Sequence, residues 1–228
     1  MLGSLRKPDV WLWGATGKHP VARDYISIGF QSGCLKVFSG LVEKGFMKTG
    51  SAGRRYVSYR YFLKCGGKDM ISCGIFKDSR DAVGREYPLV VAGYGMLTGW
   101  EEKWETIPEA MAGVCSEAEY IISRKLASLD EFKARLSRLG APSAAGKGVF
   151  PEKSGCCADV PRSGFIPLVP GDEDGMAEQI SVYMAGLKKT DSSSPEAVFI
   201  GGTQGRSCLC VFRKPLDPND ISNLLTYE

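Results

Sequence analysis

The chain has 228 residues, 43% of them hydrophobic and 24% charged, with a net charge of +3 from 29 basic and 26 acidic side chains. This is the composition of a globular protein. The near-balance of charge gives no field broad enough to draw nucleic acid or anionic lipid, and no apolar run approaches the ~20 residues that a membrane crossing needs, so neither nucleic-acid binding nor membrane insertion is expected.

Val10-Trp11-Leu12-Trp13 reads as a first strand, with a polar loop over 14–24 behind it. Residues 25–45 read as a helix: Leu35, Phe38 and Val42 fall on one stripe, and Gly45 is the expected terminator. A Gly- and Ser-containing connection, 46–54, follows. From Tyr56 the period changes to two, and Val57, Tyr59, Tyr61 and Leu63 alternate with Ser58, Arg60 and Phe62. With the Gly66-Gly67 turn and the returning run Met70 to Phe76 this predicts a β-hairpin. The loop 77–88 leads to a third strand of the group, 89–94.

Thr106-Ile107-Pro108-Glu109 opens a helix, with Pro in the first turn and an acid at the positive end; it should run to Ala127. Ser128-Leu129-Asp130-Glu131 has capping-box spacing and starts another, with Phe132, Leu136 and Leu139 on a stripe and Gly140 at its end. Residues 141–164, rich in Pro, Gly, Ser, Ala and Lys, predict a flexible insertion. Order resumes at Phe165-Ile166-Pro167-Leu168, and a helix is expected over Gly175 to Leu187. Ala197 to Gly201 and Cys208 to Phe212 form a second hairpin, and Asp217-Pro218 starts a closing helix with Ile221, Leu224 and Leu225. Strands grouped in this way predict a single α+β domain spanning 1–228. Its core is a mostly antiparallel sheet of about five to six strands with helices packed on its faces.

The opening residues Met1 to Pro8 show no basic stretch leading into an apolar core, so no leader is expected and the expected address is cytoplasmic. On that reading the eight cysteines stay reduced. There is no CxxC pair. Cys156-Cys157 and Cys208-x-Cys210 match no common zinc spacing, and His19 is the only histidine, so no metal or cofactor is expected. Cys73, Cys115 and Cys208 sit in apolar patterns and read as small core residues.

No complete active site can be assembled from residue types. Gly14-Ala15-Thr16-Gly17-Lys18 follows a strand, but only two residues separate its glycines, too few to wrap a phosphate in backbone N–H groups. His19 reads as a packing or surface residue without an orienting partner for catalysis. The basic residues Arg54, Arg55, Arg60, Lys64 and Lys68 read as a solvated face. Trp100 and Trp104 read as core, with a partner anchor as the alternative. Lys18, Asp24, Asp81 and Arg85 form the most informative set. If their two loops meet, Arg–carboxylate pairing would lock them together or shape a surface for a partner protein. The alternative is a small phospho-ligand-binding protein or enzyme that uses the same four side chains.

Two longer patterns carry a family resemblance. Gly17-Lys18-His19-Pro20-Val21-Ala22-Arg23-Asp24-Tyr25 and Gly74 through Asp81-Ala82-Val83-Gly84-Arg85-Glu86-Tyr87-Pro88-Leu89 resemble the signature loops of the TagF (ImpM/SciT) proteins, accessory factors of the bacterial type VI secretion system. The end of the chain, Ala197-Val198-Phe199-Ile200-Gly201-Gly202 onward with its closing helix, is also similar to that family. Asp78 stands where the family usually carries Pro, and Arg23 where Gly usually precedes the acid. The resemblance implies a non-enzymatic cytoplasmic regulator. It would repress secretion post-translationally by binding another type VI secretion protein, in some systems a forkhead-associated scaffold.

Overall fold

The computed structural model describes residues 11–29, 32–50, 55–143 and 164–227. Its strands are β1 Leu12–Gly17, β2 Ile26–Ile28, β3 Val57–Lys64, β4 Met70–Lys77, β5 Leu89–Met96, β6 Gly164–Leu168, β7 Ala197–Thr203 and β8 Arg206–Phe212. Its α-helices are α1 Gly33–Thr49, α2 Ile107–Ser123, α3 Leu129–Leu136, α4 Glu173–Thr190 and α5 Pro218–Leu225, with a kinked 3-10 segment, Trp100–Thr106, ahead of α2. The eight strands form one sheet in the order β2-β1-β5-β4-β3-β7-β8-β6, and every neighbouring pair is antiparallel.

The strand period divides the core in two. On one face Phe62, Ile71, Cys73, Ile75, Val91, Val198, Leu209 and Val211 pack with Trp104, Met111, Cys115, Phe132 and Met184 from the 3-10 segment, α2, α3 and α4. On the other, Val57, Tyr59, Tyr61, Phe76, Val90, Phe199 and Cys210 pack with Leu35, Phe38 and Val42 of α1 and Ile221 and Leu224 of α5. Successive strand residues point to opposite faces, so a strand apolar at every position needs helices above and below it. The helix ends are set by short-range chemistry. Ser32 accepts from the Leu35 N–H, Ser128 from the Glu131 N–H, Asp172 from the Gly175 N–H, and Asp217 and Asp220 form a reciprocal capping box.

Eight strands replace the expected five to six. The two additions are edge strands. Residues 26–28, expected within a helix, pair instead with β1 as Gly17↔Ile26, Thr16↔Ser27 and Ala15↔Ile28. Gly164–Leu168 pairs with β8, and its Pro167 lacks a ladder donor, which an edge tolerates. Strand β1 also runs on through residues 14–17, expected as loop. Helix α1 begins at Gly33 and continues past Gly45 to Thr49. Gly45 is needed inside the helix, where a Cβ would fall 2.6 Å from Ile221 of α5. The expected insertion 141–164 lies mostly outside the described residues, as do 51–54 of the expected connection.

The cysteine expectation is half corrected. Cys73, Cys115, Cys208 and Cys210 are free and fully buried, but Cys34 and Cys65 are joined in a disulfide. Folding brings the start of α1 beside the end of β3, with the two Cα atoms 5.7 Å apart, inside the range a disulfide requires.

At the other side of the sheet, Trp13 lies directly across from Gly93, and the Trp13 and Trp11 rings lie over Gly93 and Gly95 of β5. A Cβ on Gly93 would fall 2.6 Å from the Trp13 ring, and Trp13 is anchored by an Nε1–H bond of 2.8 Å to the Gly140 carbonyl. We expect Gly93→Ala to cost about 1–3 kcal/mol through overpacking, read as a lower urea midpoint at unchanged slope, with altered tryptophan emission in the folded state.

Candidate functional site

Where β1 ends, β4 ends and β5 begins, two loops emerge side by side. The first, 18–25, joins β1 to β2; the second, 78–88, joins β4 to β5. They are bound by backbone, since the Ala82 N–H donates to the Ala22 carbonyl at 2.8 Å. The second loop is pinched at its neck by an Arg80–Glu86 bridge and by Tyr87 N–H donating to the Ser79 carbonyl. Gly84, at φ +88°, makes the tight return that lets Arg85 fold back on Asp81.

All four residues singled out in the sequence meet here. The Asp81 side chain is fully buried and saturated with donors. Its Oδ1 accepts from the Val83 N–H at 3.0 Å and the Arg85 N–H at 2.9 Å. Its Oδ2 accepts from Arg85 Nε at 2.7 Å and faces Lys18 Nζ at 3.3 Å. Arg85 then spans the gap between the loops, its Nη2 donating to the Arg23 carbonyl at 2.6 Å and to Asp24 Oδ1 at 3.4 Å. Asp24 is the outermost member, with 83% of its side chain exposed, and also accepts from the Tyr25 N–H at 2.8 Å.

Burial alone would raise the Asp81 carboxyl. The Arg85 backbone and side-chain donors, the Val83 N–H and Lys18 outweigh it and hold the group down at about 2, against an ordinary 3.8. Charges cancel inside the cluster: Asp81 balances Lys18 or Arg85, and Asp24 takes up the remainder. An incoming anion would have to displace a carboxylate already bonded to both cations.

His19 lies immediately behind, 2% exposed and stacked on Phe132 with ring centroids 4.7 Å apart. Its Nδ1 accepts from the Val21 N–H at 3.1 Å, which leaves the proton on Nε2, facing the Ile122 carbonyl at 3.3 Å. Both nitrogens are therefore engaged in positioning the loop. Burial lowers its pKa, with a further push from Lys77 against the opposing pull of the Ile122 carbonyl. Tyr25 completes the wall: its hydroxyl bonds Thr16 Oγ1 at 2.6 Å and its ring meets Tyr87 edge-on at 5.4 Å. Tyr25 and Val83 remain exposed on the rim.

The sequence pattern pointed to the four charged side chains but not to the backbone partners, the Val83 and Arg85 N–H groups and the Ala22 and Arg23 carbonyls, because a main-chain donor has no residue signature. Gly14 to Gly17 form no phosphate cradle; they are ladder residues of β1, paired with β5 throughout. Trp100 and Trp104 are buried and offer no anchor. The expected basic face is partly paired: Arg60 grips Glu119 with Nε and Nη2 at 2.9 and 2.7 Å, and Lys64 meets Glu101 at 2.5 Å. At the opposite end of the sheet an open polar cleft is lined by Lys64, Glu101, Lys188, Ser194 and Arg213, each cation beside a carboxylate. Among the described residues no group of three or more His, Cys, Asp or Glu is placed to hold a metal ion, and no helix is long and apolar enough to cross a membrane.

No family model matches the chain, and no curated protein matches it in sequence. Among solved structures it is similar to PA0076 of Pseudomonas aeruginosa PAO1, with a TM-score of 0.60 and 17% identity over 95% of this chain and 94% of that one. At that identity the likeness concerns the fold.

Two pH dependences follow. The neutral, buried His19 binds fewer protons folded than unfolded below its ordinary 6.5, so stability should fall as pH drops beneath that value. His19→Gln, which can still accept from Val21 and donate to Ile122, should flatten the melting-temperature profile between pH 7 and 5. The depressed Asp81 carboxyl contributes stability that is complete above 3.8 and lost as pH falls toward about 2. Asp81→Asn should therefore lower the melting temperature at pH 7 and show a shallower decline than wild type between pH 4 and 2.

Proposed function

We propose that this chain is a TagF-like accessory protein of the bacterial type VI secretion system, a post-translational repressor that works in the cytoplasm by binding another secretion component and performs no chemistry of its own. The observation that supports this most is the state of the motif residues. The two TagF-like loops come from separate parts of the chain, yet Asp81, Arg85, Lys18 and Asp24 join them into one charge-neutral unit at an end of the sheet. A catalytic group needs a displaced pKa matched to proton transfer, or a nucleophile within reach of a base. Here the carboxyl is held low and the imidazole is occupied on both sides. What the locked loops present outward is a shaped rim with Tyr25 at 43% and Val83 at 61% exposure, the amphipathic kind of surface that recognition uses.

On this reading the direct partner is a type VI secretion protein, with a forkhead-associated scaffold as the first candidate, and Lys18, Asp24, Asp81 and Arg85 hold the contact loops in place. Affinity capture of the tagged chain from cells with an active secretion system should enrich such a component, and deletion should raise effector release. Val83→Asp should abolish the enrichment without shifting the melting temperature, whereas Arg85→Ala should weaken both. If no secretion component is captured and effector release is indifferent to deletion, the proposal fails.

A further inference from the structure

We propose that the Cys34–Cys65 bridge is a reversible thiol–disulfide exchange site, served by a dithiol reductant of the CxxC class, through which redox state sets the order of one end of the sheet. The bridge joins the start of a helix to the end of a strand. Cys34 is the second residue of α1, which packs on one face, and Cys65 follows β3 at the turn into β4. That turn is itself a connector. The Cys65 N–H donates to the Met70 carbonyl, and Asp69 takes the left-handed conformation at φ +60°, uncommon for a residue with a side chain. Held so, Asp69 accepts from the Leu97 N–H through its carbonyl and from the Gly99 N–H through Oδ1, both at 2.9 Å. Gly99 caps the 3-10 segment whose Trp100 and Trp104 lie in the opposite core layer. The bridge thus ties α1 on one face to the β3–β4 turn at the sheet's end, and hydrogen bonds to Asp69 carry the connection on to the tryptophan segment on the other face.

Access decides where exchange begins. Cys34 is half-buried, whereas Cys65 is 4% exposed. The described free thiols Cys73, Cys115, Cys208 and Cys210 are fully buried and out of reach of a reductant. A reductant thiolate attacks Cys34 Sγ; a mixed disulfide forms there, and the Cys34–Cys65 bond breaks with its electron pair leaving on Cys65, which takes up a proton. The second thiolate of the reductant then attacks the reductant's first sulfur in the mixed disulfide and releases Cys34, which is protonated in turn. The dithiol is oxidised to its disulfide and the bridge gains two electrons and two protons.

The test uses the whole chain with a monothiol/disulfide buffer and thioredoxin as the probe. In oxidised glutathione, Cys34 and Cys65 should resist alkylation even after denaturation, as read by peptide mass spectrometry. After native treatment with reduced thioredoxin both should label on denaturation. The melting temperature should drop by about 6–15 °C, as expected for opening a link across some thirty residues in a chain of this size, and should recover on reoxidation. Hydrogen exchange should accelerate at 33–37, 65–70 and 97–100 while β7 is unchanged. Cys34→Ser should show the reduced melting temperature in either buffer. If that variant does not fold, the wild-type redox pair of measurements decides alone, with a Cys156→Ser/Cys157→Ser variant retaining the shift. Labelling of either cysteine without reductant, a melting temperature indifferent to redox state, or reduction no faster than global unfolding would each overturn the proposal.

Discussion

The apolar load on both faces of β3, β4, β5, β7 and β8 is the constraint from which the rest of this structure follows. Antiparallel sheets commonly leave one face to water, and their strands then alternate cleanly between apolar and polar. Here Tyr59, Tyr61 and Leu63 point one way and Phe62 the other; Ile71, Cys73 and Ile75 oppose Phe76; Val90 and Ala92 oppose Leu89 and Val91. Such strands demand cover above and below, and the helices divide accordingly, α1 and α5 on one side and α2, α3 and α4 with the 3-10 segment on the other.

With both faces occupied, the sheet's ends are where polar chain can be displayed. At one end the β1–β2 and β4–β5 loops converge on the Asp81 carboxylate; at the other lies the cleft of Lys64, Lys188 and Arg213 and the disulfide-bound β3–β4 turn. The two ends solve the same problem differently. At the first, a buried carboxylate takes two backbone donors, an arginine and a lysine, and its desolvation is offset by that full set of partners. At the second, a covalent bond and an Asp69 in the left-handed conformation fix the turn. The first is self-neutral, which is the physical basis of the proposed recognition role; the second holds the bridge proposed to exchange with a dithiol.

Much of this was legible beforehand where the determinants are close in sequence. The two hairpins, the Ser128 and Asp217 helix starts and the tryptophans' place in the core followed from period, caps and apolar pattern. The errors share a cause. Ile26–Ile28 is three residues long, too short for a period to show, and is a strand because β1 offers it a free edge. Gly45 looks like a helix stop, yet its missing side chain serves the approach of Ile221 from α5, across more than 170 positions. Cys34 and Cys65 carry no mark of pairing until α1 is laid against the sheet.

The amino-acid order by itself determined the longer elements, the helices on the sheet's faces and the four charged residues worth watching, because period, capping and turn chemistry act over a few neighbouring residues. The tertiary structure alone decided that Lys18 and Arg85 share one carboxylate, that His19 is spent on Phe132, Val21 and Ile122, and that Cys34 bonds Cys65. Those outcomes depend on distances between segments far apart in the chain, and such distances exist only once the sheet has brought the segments together.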